Sequence, residues 1–424
     1  MKHIVLVLVV IASCASCIQV NENKATDRGF LRIPGEFEAQ NAIWLGFLTI
    51  ESYEEDIEDT VTIKIIKALN PYIKLNLIVE QDSLFPGGKV SFANIGLDTS
   101  KIDLFYQSPT DGWYRDPGPI FGISPGNELG VADFKYTNYM NVLPDSVPEW
   151  VKEIEGIDRD VAKKLNIQAF NSTVAMEGGA FETNGKGVLI QVEDVTLKRN
   201  PHLSKEEIEL DLLKNFGMHE VIWLPSGLAD DPFNFERINE NIFGFGTGGH
   251  TDEFVRYAND STILLAWVPD EERDSHPICK INHRVLSKNY QILVESHNWD
   301  GRNFRVIKVP HAYPDTYEEV IDSMWIKNGF YNRQMRRFGF DLHDTIEMAY
   351  SASYLNYIIS NGVVIVPQYW NNSKPLKIKE RDQKVRSIFN EVFPDRKIIG
   401  IDPTFFNDKG GGMHCRYQSE PKLK

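Results

Sequence analysis

Three stretches of the chain are built alike: a short polar motif, an apolar run of strand length, a tight turn and a second apolar run. In the first, Trp113-Tyr114-Arg115-Asp116 precedes strands expected at 118–123 and 129–136, joined by Pro125-Gly126-Asn127. In the second, Met176-Glu177-Gly178-Gly179 precedes strands at 180–183 and 187–192, joined by Asn184-Gly185. In the third, Gly249-His250-Thr251-Asp252-Glu253 precedes strands at 254–257 and 262–268, joined by Asn259-Asp260. Asn-Gly between apolar runs marks a hairpin, because its two-residue turn needs positive φ at both positions. Each hairpin therefore starts from a carboxylate at its base. The motifs hardly match in sequence, so the architecture recurs rather than the residues.

Helices are expected between the hairpins. Ser204-Lys205-Glu206-Glu207 is a capping box opening an amphipathic helix that Gly217 ends, with a strand at 220–224 after it. A helix at 380–392 stops before Pro394, and the strand at 398–401 leads toward the tail. Another helix is expected at 347–360, ended by Gly362 and followed by the strand 363–366. Helix, strand and polar loop alternate, which predicts an α/β protein with its polar motifs gathered at one end. No Pro/Gly/Ser-rich linker divides the body, so 31–424 reads as a single catalytic domain.

The first residues read differently. Lys2 and His3 precede an apolar run at 4–12 and then small residues, the pattern of a signal peptide over 1–17. Ile11-Ala12-Ser13-Cys14 also fits a lipoprotein processing box, with Cys14 as the lipidated residue and Cys17 less suited. Residues 18–30 would form a polar tether. Export to the periplasm or cell surface follows as an expectation, with membrane contact only through a lipid anchor. Two cysteines, Cys279 and Cys415, remain in the body, so no disulfide framework is indicated. A formal charge of −15 argues against nucleic acid and suits a cationic partner.

Cys415 closes the segment Gly410-Gly411-Gly412-Met413-His414-Cys415, where residues without side chains let backbone approach a ligand closely. A thiol nucleophile needs a proton carrier, and His250 titrates nearest neutrality. If its segment is a strand, Asp252 points to the same face as His250. Asp116 and Glu177 add carboxylates at equivalent places in neighbouring hairpins. A thiol among carboxylates suits a planar cation rich in N–H donors, and a guanidinium is such a group. Plainer readings exist: Asp116 paired with Arg115, Glu177 in a turn, His250 in the core, Trp113 and Met413 as packing, and Asp252 with Glu253 as a solvated strand end. A zinc site from His250, Asp252, His414 and Cys415 lacks any ligand spacing of that kind. Gly246-Thr247-Gly248-Gly249 opens no expected helix, so a dinucleotide site is unsupported, and Gly87-Gly88-Lys89 lacks the flanking residues of a phosphate loop.

Five anchors in order give the chain a family resemblance: Trp113-Tyr114-Arg115-Asp116-Pro117-Gly118-Pro119, Glu177-Gly178-Gly179, Arg199-Asn200-Pro201-His202-Leu203-Ser204, Gly249-His250-Thr251-Asp252, and 410–415. With these the sequence resembles the agmatine deiminase and Porphyromonas-type peptidylarginine deiminase family, of the guanidino-group-modifying superfamily. The resemblance implies a five-bladed α/β propeller of pseudo-repeated ββαβ modules around a central active-site channel. It implies Cys415 as nucleophile on a guanidinium carbon, with Asp116 and Asp252 holding the guanidinium nitrogens. It also implies His250 as proton carrier, Glu177 beside it and Trp113 as pocket wall, with no cofactor. Agmatine is the first expected substrate and arginine in peptides the second. The arginines Arg333, Arg336 and Arg337 would either read a substrate carboxylate or form a solvated helix face. An amidinotransferase, or a non-catalytic surface lipoprotein binding cationic ligands, are the remaining alternatives; the intact thiol and carboxylate set argues against the latter.

Overall fold

Strand β1 (Gln40–Gly46) lies parallel to β2 (Lys74–Val79), which lies parallel to β3 (Ile102–Tyr106). Helix α1 (Val61–Leu69), capped by the Thr60 side chain, makes the first crossover. The computed structural model describes residues 30–47, 60–79, 89–107, 112–140, 142–298 and 300–424. The expected signal peptide, Cys14 and all but the last residue of the tether lie outside the described residues. Among the described residues no helix is long and apolar enough to cross a membrane.

From here one unit recurs: an antiparallel pair, a helical crossover and a third strand parallel to the second. The first such unit is β4 (Ile120–Ile123), β5 (Leu129–Lys135), helix α2 (Ile157–Leu165) and β6 (Gln168–Ala175). The second is β7 (Phe181–Thr183), β8 (Val188–Val192), α3 (Lys205–Phe216) and β9 (Glu220–Leu224). After β10 (Phe233–Asn239) and β11 (Ile242–Thr247), the unit returns as β12 (Val255–Asn259), β13 (Thr262–Trp267), α4 (Pro277–Glu295) and β14 (Arg305–Pro310). Then come β15 (Thr316–Val320), helix α5 (Gly329–Phe338) and β16 (Thr345–Ala349), which complete a separate sheet in the order β10-β11-β16-β15. The fourth unit is β17 (Ile358–Ser360), β18 (Val363–Pro367), α6 (Leu376–Val392) and β19 (Lys397–Ile401). Finally β20 (Tyr417–Pro421) pairs antiparallel with β1, with Trp44 opposite Gln418, so the two ends of the chain form the fifth unit together.

The α/β class expected from the sequence is therefore present, built of several small mixed sheets. All five residues of β8 and of β18 are buried, as parallel-paired strands covered on both faces require. The Ser204 capping box forms as read, and Gly217 ends α3 at φ 63°. One core joins Ile190, Leu264 and Val364 from three units. A second joins Ile43 of β1 and Tyr417 of β20 to Ile358 and Ile365.

The helix expected at 347–360 is not there. Its first residues belong to β16, whose Ile346 and Met348 alternate into a core, and its last belong to β17. Tyr350, Tyr354 and Tyr357 stand four and three residues apart and imitate a helical face, yet this segment runs as irregular chain and turn between the two strands.

Candidate active site

Every unit carries a polar side chain just before the first strand of its antiparallel pair. These are Asp116 before β4, Glu177 before β7, Asp252 before β12, Asn356 before β17 and Cys415 before β20. All five are buried, and their contacts bring the five entry turns to one place.

His250 occupies the middle of one side. Its Nδ1 is 3.8 Å from Asp116 Oδ1 and its Nε2 is 3.7 Å from Glu177 Oε2, both longer than hydrogen bonds. Glu177 Oε1 accepts from Arg199 Nε at 2.7 Å, an ion pair buried on both sides. Asp116 is held at both oxygens, accepting from Gly179 N–H at 2.9 Å and from the Tyr139 hydroxyl at 2.7 Å. Asp231 fixes the backbone of the His250 turn, accepting from the N–H groups of Thr247, Gly249 and His250. Gly179 lies at the centre, where an added Cβ would stand 2.7 Å from His250 Nδ1, 3.0 Å from Asp116 Oδ1 and 3.1 Å from Asp252 Oδ2.

Cys415 occupies the other side. Its Sγ lies 3.7 Å from Asp252 Oδ2 and 3.8 Å from Glu253 Oε1. It accepts from Asn356 Nδ2 at 3.3 Å and from Gly412 N–H at 3.4 Å. Gly412 is required because a Cβ there would fall 2.2 Å from Asn356 Oδ1. Behind Asp252, His414 turns Nδ1 to Asp252 Oδ2 at 2.7 Å and Nε2 to Glu36 Oε2 at 2.9 Å. The His414 ring thus bridges the carboxylates of Asp252 and Glu36. Glu36 also pairs with Arg115 and Arg256.

Several expectations are corrected here. His250 and Asp252 do not share a strand face, because Thr251–Glu253 form a single 3₁₀ turn; His250 lies between Asp116 and Glu177, and Asp252 lies against His414 and Cys415. Glu253 is buried rather than solvated. Arg115 reaches Glu36 and leaves Asp116 to the site. Arg336 and Arg337 engage Asn332, Gln334 and Glu236 at the surface, so the solvated-face reading suits them. Asp252, Glu253 and Cys415 each place one ligand atom within 4.8 Å of the others, whereas His414 has both nitrogens turned to carboxylates and His250 faces Asp116 and Glu177. The zinc set considered from sequence is thus split.

Sequence reasoning singled out Cys415, His250, Asp116, Asp252, Glu177 and Trp113; Trp113, Asp116 and Cys415 line one cleft, and His250, Glu177 and Asp252 lie buried against them. It missed Asn356, Glu36 and Tyr139. Asn356 had a positional signal, since it precedes a hairpin as Asp116, Glu177 and Asp252 do. Trp113 forms part of the wall of this cleft of about 580 Å³, with Tyr139, Phe233 and Tyr331 farther round and Asp116 and Cys415 on its lining.

Charge sets the protonation states. Burial raises the Asp116 carboxyl to about 6, against the pull of the His250 cation. Burial works against charge on His250 too, but Asp116 and Glu177 outweigh it and hold the imidazole at about 9. Burial is likewise outweighed at Glu177, which Arg199 and His250 bring down to about 2. At Asp252 burial is overcome by His414, and the carboxyl falls below its usual range. Burial and then Asp252, Asp231 and Asp230 push Glu253 well up toward its neutral form. Cys415 is pushed well above the usual thiol range by burial, then by Asp252, Glu253 and Asp116. Among the described residues Glu177 Oε2, Asp252 Oδ1 and both His250 nitrogens are buried without a hydrogen bond. Buried polar atoms without partners are costly and mark a place prepared for a ligand.

A buried thiol, an imidazole and unpartnered carboxylate oxygens gathered beside one cleft suit an enzyme site for a nitrogen-rich cation. The model of the Porphyromonas-type peptidyl-arginine deiminase family matches residues 32–421, and the chain belongs to that family. It is a hydrolase acting on carbon–nitrogen bonds of amidines. The agmatine deiminase of Pseudomonas syringae pv. tomato is 30% identical over 340 residues, covering 78% of this chain and 79% of the relative. That of Pseudomonas fluorescens is 27% identical over 333 residues, covering 78% and 79%. In fold the chain is similar to the solved agmatine deiminase of Enterococcus faecalis, with a TM-score of 0.68, 24% identity and coverage of 92% and 96%.

Proposed function

We propose that the protein hydrolyses the guanidino group of agmatine, giving N-carbamoylputrescine and ammonia through a covalent intermediate on Cys415. The observation that carries this reading is the ring of buried acceptors, Asp116, Glu177 and Asp252, around a thiol and an imidazolium. The guanidinium would donate bidentate hydrogen bonds to the Asp116 and Asp252 carboxylates, leaving its carbon exposed to Sγ. Relatives named agmatine deiminase support agmatine as the substrate.

The chemistry follows from the charges. Without substrate, three carboxyl groups and burial keep the thiol protonated. An incoming guanidinium places a positive charge beside Sγ, so the proton leaves to solvent and the thiolate attacks the guanidinium carbon. His250, already an imidazolium, gives its proton to the departing nitrogen as the C–N bond breaks. Ammonia leaves behind a thiouronium. Neutral His250 then takes a proton from water, whose oxygen adds to the same carbon. Collapse breaks the C–S bond, the hydroxyl proton passes to the departing sulfur, and the thiol is restored as the neutral ureido product leaves.

The cleft of about 580 Å³ leaves room for more than a single small amine, which favours arginine in peptides as the second reading. Ammonia release from agmatine, arginine and arginine-containing peptides separates the two, with Cys415→Ser as the blank. Preferred turnover of agmatine supports the first, preferred turnover of peptides the second, and no turnover of any guanidino compound by folded protein defeats both. The leader at 1–17 supports export, with Cys14 as a lipid anchor. Fractionation and labelling with a radiolabelled fatty acid, against Cys14→Ser, test that placement.

A further inference from the structure

Tyr139 follows β5 where the chain places two successive residues in the left-handed region, Asn138 at φ 49° and Tyr139 at φ 61°. Neither is glycine, and a Cβ disfavours that conformation. Such strain persists where its surroundings fix it, and it concentrates at functional sites. The surroundings here are specific. The Thr137 hydroxyl donates to Met140 O at 2.9 Å and closes the turn. The Tyr139 ring stands 5.9 Å from the Tyr136 ring and 6.0 Å from the His250 ring, with the Arg199 guanidinium 5.9 Å from its centre. Its hydroxyl donates to Asp116 Oδ2 at 2.7 Å, and the residue also lines the cleft.

We propose that Tyr139 is a positioning residue that acts through Asp116, using its hydroxyl to hold that carboxylate in the orientation that grips the substrate cation. This rests on the guanidino reading of the site. Gly179 N–H holds one oxygen of Asp116 from the unit behind it, and Tyr139 holds the other from the cleft side. With both fixed, the carboxylate plane cannot rotate, and bidentate recognition depends on that plane. The left-handed pair aims the phenol inward, so the strained backbone serves a contact with the reacting group's holder.

The groups facing Asp116 are His250 and Asp252 from the turns before β12, Glu177 from the turn before β7, Cys415 and Tyr139 itself. Burial already lifts the Asp116 carboxyl to about 6, and the phenol pulls it down. Removing the hydroxyl lifts it further, so ionised Asp116 is lost at a higher pH. Agmatine binding to Cys415→Ala and to Cys415→Ala/Tyr139→Phe is to be measured by calorimetry from about pH 5 to about pH 9, a span covering this titration. The acid limb of the affinity is expected to move up by about one pH unit in the double variant, and the affinity above it to fall about tenfold because the carboxylate plane is no longer held. In parallel, carboxyl ¹³C NMR of the free protein follows Asp116 directly, with and without Tyr139→Phe. Asn138→Gly, which relieves the backbone and keeps the phenol, should leave both readouts where they are. An unmoved acid limb and an unmoved carboxyl titration in Tyr139→Phe overturn the inference, as does a moved limb in Asn138→Gly. If agmatine does not bind Cys415→Ala at all, the substrate reading fails, and the ¹³C titration alone decides the role of Tyr139.

Discussion

The side-chain amide of Asn356 donates to the sulfur of Cys415 across 3.3 Å, joining the unit of β17 to the unit closed by β20. The same amide donates to Glu253 Oε1 at 2.8 Å, while Asn356 Oδ1 accepts from His414 N–H at 2.7 Å. One buried residue thus fixes the thiol, its acidic neighbour and the backbone beside it. A hydrogen bond to a charged acceptor contributes about 1.5–3 kcal/mol, and the thiolate is charged only once substrate arrives. Asn356→Ala should therefore lower kcat more than it raises KM, by roughly one to two orders of magnitude. Asn356→Asp should be worse, because it sets another carboxylate beside the thiolate. Steady-state kinetics on agmatine decide this, and wild-type kcat in Asn356→Ala would contradict it.

Asn356 also shows why part of the site was hidden in the sequence. Asp116, Glu177 and His250 stand at the base of hairpins whose strands and turn are contiguous, so local pattern exposes them. The hairpin after Asn356 has its turn at Asn361-Gly362, but Tyr350, Tyr354 and Tyr357 ahead of it carry helical spacing, and an asparagine announces no chemistry. The β1–β20 pair could not be read locally, since it joins opposite ends of the chain. Cys415 was legible through its glycines and its thiol, whereas Glu36 and Tyr139 matter only through partners far away in sequence. Asp252 was found for a wrong reason: its residue type suited the site, but a 3₁₀ turn, not a strand, places it there.

The pH dependence of turnover follows from two groups with opposite needs. Asp116, raised to about 6 chiefly by burial, must be ionised to hold the cation. His250, held at about 9 because Asp116 and Glu177 outweigh its burial, must be protonated to release ammonia. The profile of kcat/KM should be bell-shaped, rising through about 6 and falling through about 9. Because the raised thiol gives its proton to solvent only on binding, kcat/KM should also climb with pH between these limits, whereas kcat, read with the thiol already ionised, should not. Alkylation of the substrate-free enzyme by iodoacetamide should accordingly be slow at neutral pH and climb about tenfold per pH unit as thiolate forms. Fast alkylation at neutral pH would contradict the substrate-driven ionisation.

Arg199 and Glu177 bear on stability as well as on catalysis. Their ion pair is buried on both sides, and removing one partner of such a pair costs about 3–5 kcal/mol because the other charge stays buried. Arg199→Met should lower the melting temperature clearly and also weaken activity, since Glu177 loses its hold beside His250. Arg199→Met/Glu177→Gln, which removes both charges, should recover part of the stability but not the activity. The pair also links folding to pH: Glu177, brought down to about 2 by Arg199 and His250 despite burial, stabilises the fold above its ordinary carboxyl range. That contribution is lost as pH falls toward about 2, so wild type should lose more stability on acidification than the double variant.

Gly179 offers the sharpest separation of chemistry from folding. An added methyl there would meet His250 Nδ1 at 2.7 Å, Asp116 Oδ1 at 3.0 Å and Asp252 Oδ2 at 3.1 Å, so it falls among the groups that must close on the substrate. The His250 contact is too short to stand, and the imidazole must move by a few tenths of an ångström or more. Its neighbours on either side are Glu177 and Asp116, which Arg199, Tyr139 and the Gly179 amide hold in place, so the displacement has few directions to take. Misplacing a catalytic group by about 1 Å costs on the order of a hundredfold in rate. Gly179→Ala should therefore lose about two orders of magnitude in kcat/KM while far-ultraviolet circular dichroism stays that of wild type. Agmatine turnover near the wild-type rate in Gly179→Ala would mean that the guanidinium is gripped elsewhere in the cleft.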